Sequence, residues 1–297
     1  MLYSNLYNMF ESCKKYWLFL LTLLLLVANV FVFYLDWQSS HRVLTFAMLN
    51  IGQGDALFIE SPTGTQVLVD GGPPKKILSQ LSRVMSPFDR SIDAILITNP
   101  DQDHIAGFLD VLKTYKVDKV FKSGTLNDSK TYQNLETEIK NKNISNVLAR
   151  KGMKLDIGGG AIIEILFPDR DVTTWATNDG SIVARLTYGD TRVMLTGDAT
   201  TKTEGIILKE NSKTNLDSNI LKVGHHGSRT STSYDFVKTI SPIYALISDG
   251  VNNKYGHPHQ DTLNTLSSLG VKIFRTDMFG TIVMKSDGVK ESFYFQK

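Results

Sequence analysis

Five of the six histidines in this chain fall in three short loops, and each loop sits where an apolar, strand-like segment gives way to a helix-like one. The loops are residues 98–104 (Thr-Asn-Pro-Asp-Gln-Asp-His), 224–228 (Gly-His-His-Gly-Ser) and 256–259 (Gly-His-Pro-His); only His41 lies elsewhere. A fourth turn of the same kind, Leu195-Thr196-Gly197-Asp198-Ala199, carries an aspartate. This placement constrains the fold strongly: strands distant in sequence must bring these loops together, so that imidazoles and carboxylates share one pocket. Taken singly, Asp101, Asp103 and Asp198 have a plainer explanation as caps of the helices that follow them. That leaves His104 unexplained, as it does the adjacent His225 and His226, whose rings both need polar partners.

Carboxylates and imidazoles together suit zinc, manganese or iron. The single cysteine, Cys13, excludes both a disulfide framework and a thiolate cage. One carboxylate can bridge two divalent cations, and a pair ~3.5–4 Å apart acidifies water and stabilises the oxygens of an in-line displacement. The chemistry expected is therefore hydrolysis, most naturally of a phosphodiester. Asp103, His104, Asp198 and His225 are the first choices as ligands, with Asp101 a fifth; His225 is favoured over His226.

The rest of the chain reads as a mixed α/β domain. Strands are expected at 44–49, 55–60, 66–69, 92–98, 117–121, 161–167, 181–188, 191–195, 218–223, 243–248, 271–274 and 280–285. Helices are expected at 77–85, 105–115, 129–143, 200–209, 233–240 and 261–269, and no Pro/Ser-rich linker divides the whole. Two sheets covered by helices fit this pattern. A hydrophobic content of 42% excludes wholesale disorder, and a net charge of +2 excludes a strongly basic nucleic-acid binder.

Residues 17–35 form an apolar run broken only by Thr22 and Asn29, enough to span most of a ~30 Å hydrocarbon core. A cleavable signal peptide is the competing reading, but the run is too long and bulky residues follow it where small ones are needed. Lys14 and Lys15 before the run and Asp36 after it predict a cytoplasmic N-terminus and an exported domain, with Trp17, Tyr34 and Trp37 as interfacial anchors. The division expected is residues 1–35 as cytoplasmic stub and single transmembrane anchor, and 36–297 as the catalytic domain at the outer face of the cell membrane. Cys13 reads as an incidental juxtamembrane thiol.

Six stretches in order carry a family resemblance: Asn50-Ile-Gly-Gln-Gly-Asp55, Val69-Asp-Gly71, Asn99-Pro-Asp-Gln-Asp-His104, Leu195-Thr-Gly-Asp-Ala199, Leu221-Lys-Val-Gly-His-His-Gly-Ser228 and Tyr255-Gly-His-Pro-His259. With them, residues 44–285 resemble the metallo-β-lactamase-fold domain of ComEC-type DNA-uptake (competence) proteins. The resemblance implies an αββα sandwich with two divalent metals, zinc or manganese, in an edge groove. It places Asp103 and His104 on one metal, Asp198 as a bridge, and one of His225 and His226 beside them. Asp101 stands where the wider superfamily has a histidine. Asp70 is implied as a support orienting a ligand histidine, Asn178 and Ser228 as pocket residues, and His257 and His259 as phosphate contacts or proton donors. Two positions depart from the pattern, Asn50 for aspartate and Asn99 for histidine, and Asn99 implies that one metal is held weakly. A DNA-uptake channel would be a separate partner, since one anchor here replaces the family's multi-span region.

The leading functional reading is an anchored metallohydrolase of phosphodiesters, a nuclease with DNA as the first substrate. A phosphodiesterase of a cell-surface polymer or small phosphodiester fits the near-neutral exported domain as well. A fold retained only to bind nucleic acid or a partner is the reading of a different class, and Asn99 favours it. Lys222, Arg229 and Lys254 flank the histidine loops and are expected to form a phosphate-binding rim. Asn99 and Asp101 argue against β-lactam hydrolysis, because they replace two imidazoles.

Overall fold

The computed structural model describes residues 2–40 and 43–297, which fall into two compact units that part after residue 42. The first is a helix, Leu2–Ser40. Within it, Lys14–Phe33 is long and apolar enough to cross a membrane, with a mean hydropathy of 2.4. Its two polar interruptions bond to the helix's own carbonyls: Thr22 Oγ1 donates to Leu18 O at 3.0 Å and Asn29 Nδ2 to Leu25 O at 2.8 Å. A segment in lipid needs that internal satisfaction. Trp17 is exposed, whereas the side chains of Cys13, Tyr34, Asp36 and Trp37, together with His41, lie outside the described residues.

The second unit begins with β1 (Leu44–Met48), β2 (Leu57–Glu60), β3 (Gln66–Val69), β4 (Ser91–Ile97), β5 (Lys116–Lys122) and β6 (Ser145–Leu148). A second sheet follows from β7 (Lys154–Gly158), β8 (Ala161–Phe167), β9 (Val183–Tyr188), β10 (Thr191–Leu195), β11 (Ile220–Lys222), β12 (Tyr244–Ile247) and β13 (Lys272–Arg275). The chain then returns to the first sheet with β14 (Thr281–Ser286) and β15 (Glu291–Gln296), giving the orders β15-β14-β1-β2-β3-β4-β5-β6 and β13-β12-β11-β10-β9-β8-β7.

Alternation along the strands makes the layers. In β1, Leu44, Phe46 and Met48 point inward onto Ile163, Ile165, Leu186 and Leu195 of the second sheet. Ala47 points outward, joining Phe58 and Ile95 under Ile77, Phe108 and Leu135 of the covering helices. On the far side, Met194, Leu221 and Val223 pack beneath Ile207, Phe236 and Leu266. The result is the expected αββα sandwich. Strands β3 to β6 run parallel, as do β10 to β13. All loops leaving the C-terminal ends of such strands emerge on one edge of their sheet, where α/β folds place their ligands. The four histidine- and aspartate-bearing loops follow β4, β10, β11 and β12.

The structure differs from the sequence reading in several places, among them two short helices that were not expected, Lys213–Leu216 and Thr276–Phe279. The helix expected at 105–115 breaks into Gln102–Ile105 and Phe108–Thr114. Gly107 sits at the break, where a Cβ would stand 2.0 Å from Gly71 O. Strands β6, β7 and β15 carry side chains that are largely exposed or half-buried; as edge strands they lack the apolar run that announces a buried one.

Candidate metal centre

The loop after β4 is tied down by Asp70, whose carboxylate accepts from Thr98 N at 2.8 Å, from Thr98 Oγ1 at 2.6 Å and from His104 Nδ1 at 2.8 Å. This contact leaves Nε2 as the free nitrogen of His104, 3.1 Å from Asp198 Oδ2 and without a hydrogen-bond partner. Asn99 Oδ1 accepts the Asp101 N–H at 2.9 Å, an Asx turn that starts the short helix carrying Asp103 and His104. The neighbouring loop closes in through Gly54, at φ 121, where a Cβ would lie 2.2 Å from Asp103 O. Asp55 N therefore reaches the same carbonyl, at 3.2 Å.

His225 and His226 both adopt left-handed backbone, at φ 47 and 53, a conformation that costs about 1–3 kcal/mol per residue and persists only where the surroundings enforce it. The two rings part company. His226 Nδ1 donates to Ser248 O at 3.0 Å, and since a carbonyl only accepts, the neutral ring keeps its proton on Nδ1 and offers Nε2 as the ligand nitrogen. That nitrogen is buried and unpartnered, 3.5 Å from Asp103 Oδ2 and 3.6 Å from Asp198 Oδ2. His225 keeps Nδ1 near Thr230 Oγ1 at 3.2 Å, and its Nε2 stays 3.8 Å from Asp198 with a quarter of the ring exposed.

Among the described residues, two groups could hold a cation, Asp103–His104–His226 and Asp55–His104–Asp198, each with ligand atoms within 4.8 Å of one another. Their electrostatics call for positive charge. Burial opposes ionisation of Asp103, but His226 and His104 outweigh it and pull its pKa down to about 2. Asp198 is likewise held well below the carboxylate range, burial being overcome by His104 and His226. Burial disfavours protonation of His226, yet Asp198 and Asp55 push its pKa up to about 10; His104 is raised well above its usual value by Asp198 and Asp70 against the same penalty. Unpartnered imidazole nitrogens 3.1 to 3.6 Å from carboxylate oxygens are the donor set of a divalent ion.

Other expected residues take different places. Asp101 is outside both groups: Asn127 Nδ2 donates to its Oδ1 at 3.0 Å and Thr177 Oγ1 to its Oδ2 at 2.9 Å, and burial raises its pKa. Asn178 follows Thr177 in sequence and keeps a buried, unpartnered Oδ1. Ser228 is buried and stitches its own loop, bonding Thr230 Oγ1 at 3.0 Å. His259 Nδ1 accepts the Arg229 N–H at 3.1 Å, so its proton sits on Nε2. His257 stacks on Tyr255 at 5.7 Å, and burial among the other histidines lowers its pKa to about 4. The expected phosphate rim is corrected at Lys222, which is fully buried and paired with Asp55, because its side chain enters the pocket rather than the solvent. Lys254 lies over the Tyr255 ring at 5.0 Å. Lys254 and Tyr255 line a cleft of about 400 Å³ with Asp103, Gln53, Gln102 and Asn253. Asp55 is the residue that the ligand choices missed, although it ends the Asn50-Ile-Gly-Gln-Gly-Asp55 stretch that carries part of the family resemblance.

A four-layer αββα sandwich with aspartate and histidine loops gathered on one edge defines a class of metal-binding folds. The sequence profile of the metallo-beta-lactamase superfamily matches residues 49–248, and the chain belongs to that superfamily. ComE operon protein 3 of Bacillus subtilis is 32% identical over 253 residues, 79% of this chain and 32% of that protein. Competence protein ComA of Neisseria gonorrhoeae is 38% identical over 128 residues, 40% of this chain and 18% of its own. The chain thus spans about a third or less of the length of these competence relatives. The metallo-beta-lactamase fold protein YhfI of Bacillus subtilis shares the fold, with a TM-score of 0.52 and 15% identity over 78% of this chain and 96% of its own.

Proposed function

We propose that this chain is a metal-dependent hydrolase of phosphodiesters, with DNA the first polymer to test, held at the membrane by its N-terminal helix with the sandwich on the outer face. The observation that carries this reading is the convergence of His104 Nε2, His226 Nε2 and Asp198, three buried groups with unspent valence, beside the cleft-facing Asp103. The resemblance to competence proteins supports DNA as substrate and a DNA-uptake channel as partner; the near-neutral charge keeps a cell-surface polymer as the second substrate to try.

Asp103, His104, Asp198 and His226 are the residues that would hold a divalent ion, with His226 taking the place first given to His225. Such an ion supplies acidified water and neutralises charge on phosphoryl oxygens. The protein's own groups do the rest. Asp70 and Ser248 lock the two imidazoles so that each presents Nε2. Asp103 stays ionised at every ordinary assay pH. His259, with its proton on Nε2, donates to a phosphate oxygen, while Lys254 at the cleft and neutral His257 beside His225 orient the diester.

The test is turnover of bis(p-nitrophenyl) phosphate and of single-stranded DNA by the full chain in detergent, with manganese or zinc. Asp103→Ala and Asp198→Ala are each expected to lose more activity than the ~10–100-fold typical of a supporting residue, with the circular dichroism unchanged. Wild-type turnover in either variant contradicts the assignment.

A further inference from the structure

Lys222 closes β11, a strand buried at every position, and its side chain is among the largest fully buried in the domain. A lysine ammonium is seldom buried without compensation, because it leaves strong hydration behind. Here it donates to Gly197 O at 2.7 Å, pairs in close contact with Asp55 Oδ2, and stands 3.9 Å from Asp198 Oδ1. Those two carboxylates belong to the second of the two cation-binding groups, Asp55–His104–Asp198. The positive charge which that group calls for is therefore already delivered by a side chain.

The remaining donors point the same way. His104 belongs to both groups but has one nitrogen to give, since Nδ1 is committed to Asp70. On the opposite flank, both oxygens of Asp101 are taken by Asn127 and Thr177, and Asn99 Oδ1 is taken by the Asp101 N–H. A divalent ion placed between Asp55 and Asp198 would also face the ammonium at close range, with like charges in a buried site.

We propose that Lys222 is a built-in cation standing in for a second metal ion, so that the centre takes one exchangeable divalent ion per chain, at Asp103, His104, Asp198 and His226. Lys222 is a positioning residue: it pairs with Asp55 and faces the far oxygen of Asp198 from 3.9 Å, leaving Asp198 Oδ2 for the exchangeable ion. This rests on the metal-centre reading above and goes beyond it by fixing the stoichiometry and naming what occupies the second position.

The experiment counts manganese in the full chain in detergent, saturated with manganese(II), stripped of free ion by gel filtration, and read by elemental analysis and electron paramagnetic resonance. Wild type is expected to hold close to one ion, without the exchange-coupled spectrum of two neighbouring manganese ions. Lys222→Met frees Asp55 and is expected to raise the count towards two and bring in the coupled spectrum. Asp55→Asn combined with Lys222→Met removes the pair without net charge change and is expected to return the count to one. A wild-type chain holding two coupled ions overturns the proposal while leaving the metal centre intact; a count of one in Lys222→Met overturns it too. A wild-type chain that binds no manganese or zinc removes the metal centre itself, and the proposal with it. Should Lys222→Met fail to fold, the wild-type count and spectrum still decide.

Discussion

The flank of the centre that carries Asp103 and His226 and the flank that carries Asn99 and Asp101 are made of similar residue types, and they do opposite things with them. On the first, His226 Nε2 and His104 Nε2 have no hydrogen-bond partners, and Asp103 faces them at the cleft. On the second, every carboxylate oxygen of Asp101 and the amide oxygen of Asn99 is already bonded within the protein. Residue type alone does not make a ligand. What matters is whether the fold leaves a lone pair unspent and aims it at other lone pairs.

The largest expected effect separates the two adjacent histidines. His226→Ala should weaken zinc binding by more than about 100-fold, because it removes a buried donor, whereas His225→Ala should change it by less than about 10-fold. Isothermal titration of the two variants checks this, and equal losses would erase the distinction between the rings. A smaller effect is expected on the spent flank. Asn99→His supplies an imidazole but removes the Asx turn, which is worth about 1 kcal/mol, and Asp101 remains engaged by Asn127 and Thr177. It should add no metal and lower the Tm by about 2–4 °C, measured by elemental analysis and calorimetry.

The smallest effect sharpens the rule from outside the centre. Asp249 is fully buried with an unpartnered Oδ1, yet its neighbours are Asp277 and Arg275 rather than imidazoles. Burial and the nearby Asp277 push its pKa up to about 7, so it holds a proton instead of a metal. Between the unfolded carboxylate value of about 4 and pH 7 the folded protein retains a proton that the unfolded chain has released, so stability is full below pH ~4 and falls as pH rises through 7. Asp249→Asn should match wild type near pH 4 and melt a few degrees higher at pH 8. Equal melting at pH 8 would mean that Asp249 is ionised without penalty.

Much of this was legible in the chain itself. The strands flanking the loops are apolar runs, and loops rich in aspartate and histidine at their ends announce a pocket before any coordinates. The division of labour inside the pocket was not legible. Nothing in Gly224-His225-His226-Gly227 says which ring turns inward; that is decided by two consecutive left-handed residues and the Ser248 carbonyl on another strand. Lys222 reads as a rim charge because it flanks a histidine loop and lysine is seldom buried. Its burial depends on Asp55, far away in sequence, meeting it across the two sheets. Long-range pairing of that kind leaves no periodic trace.

The central claim is that one cation is held by Asp103, His104, Asp198 and His226. Anomalous diffraction from zinc-soaked crystals tests it most directly. One peak is predicted, ~2.0–2.1 Å from both His104 Nε2 and His226 Nε2. A peak held instead by His225 or Asp101, with His226 outside the coordination sphere, would contradict it.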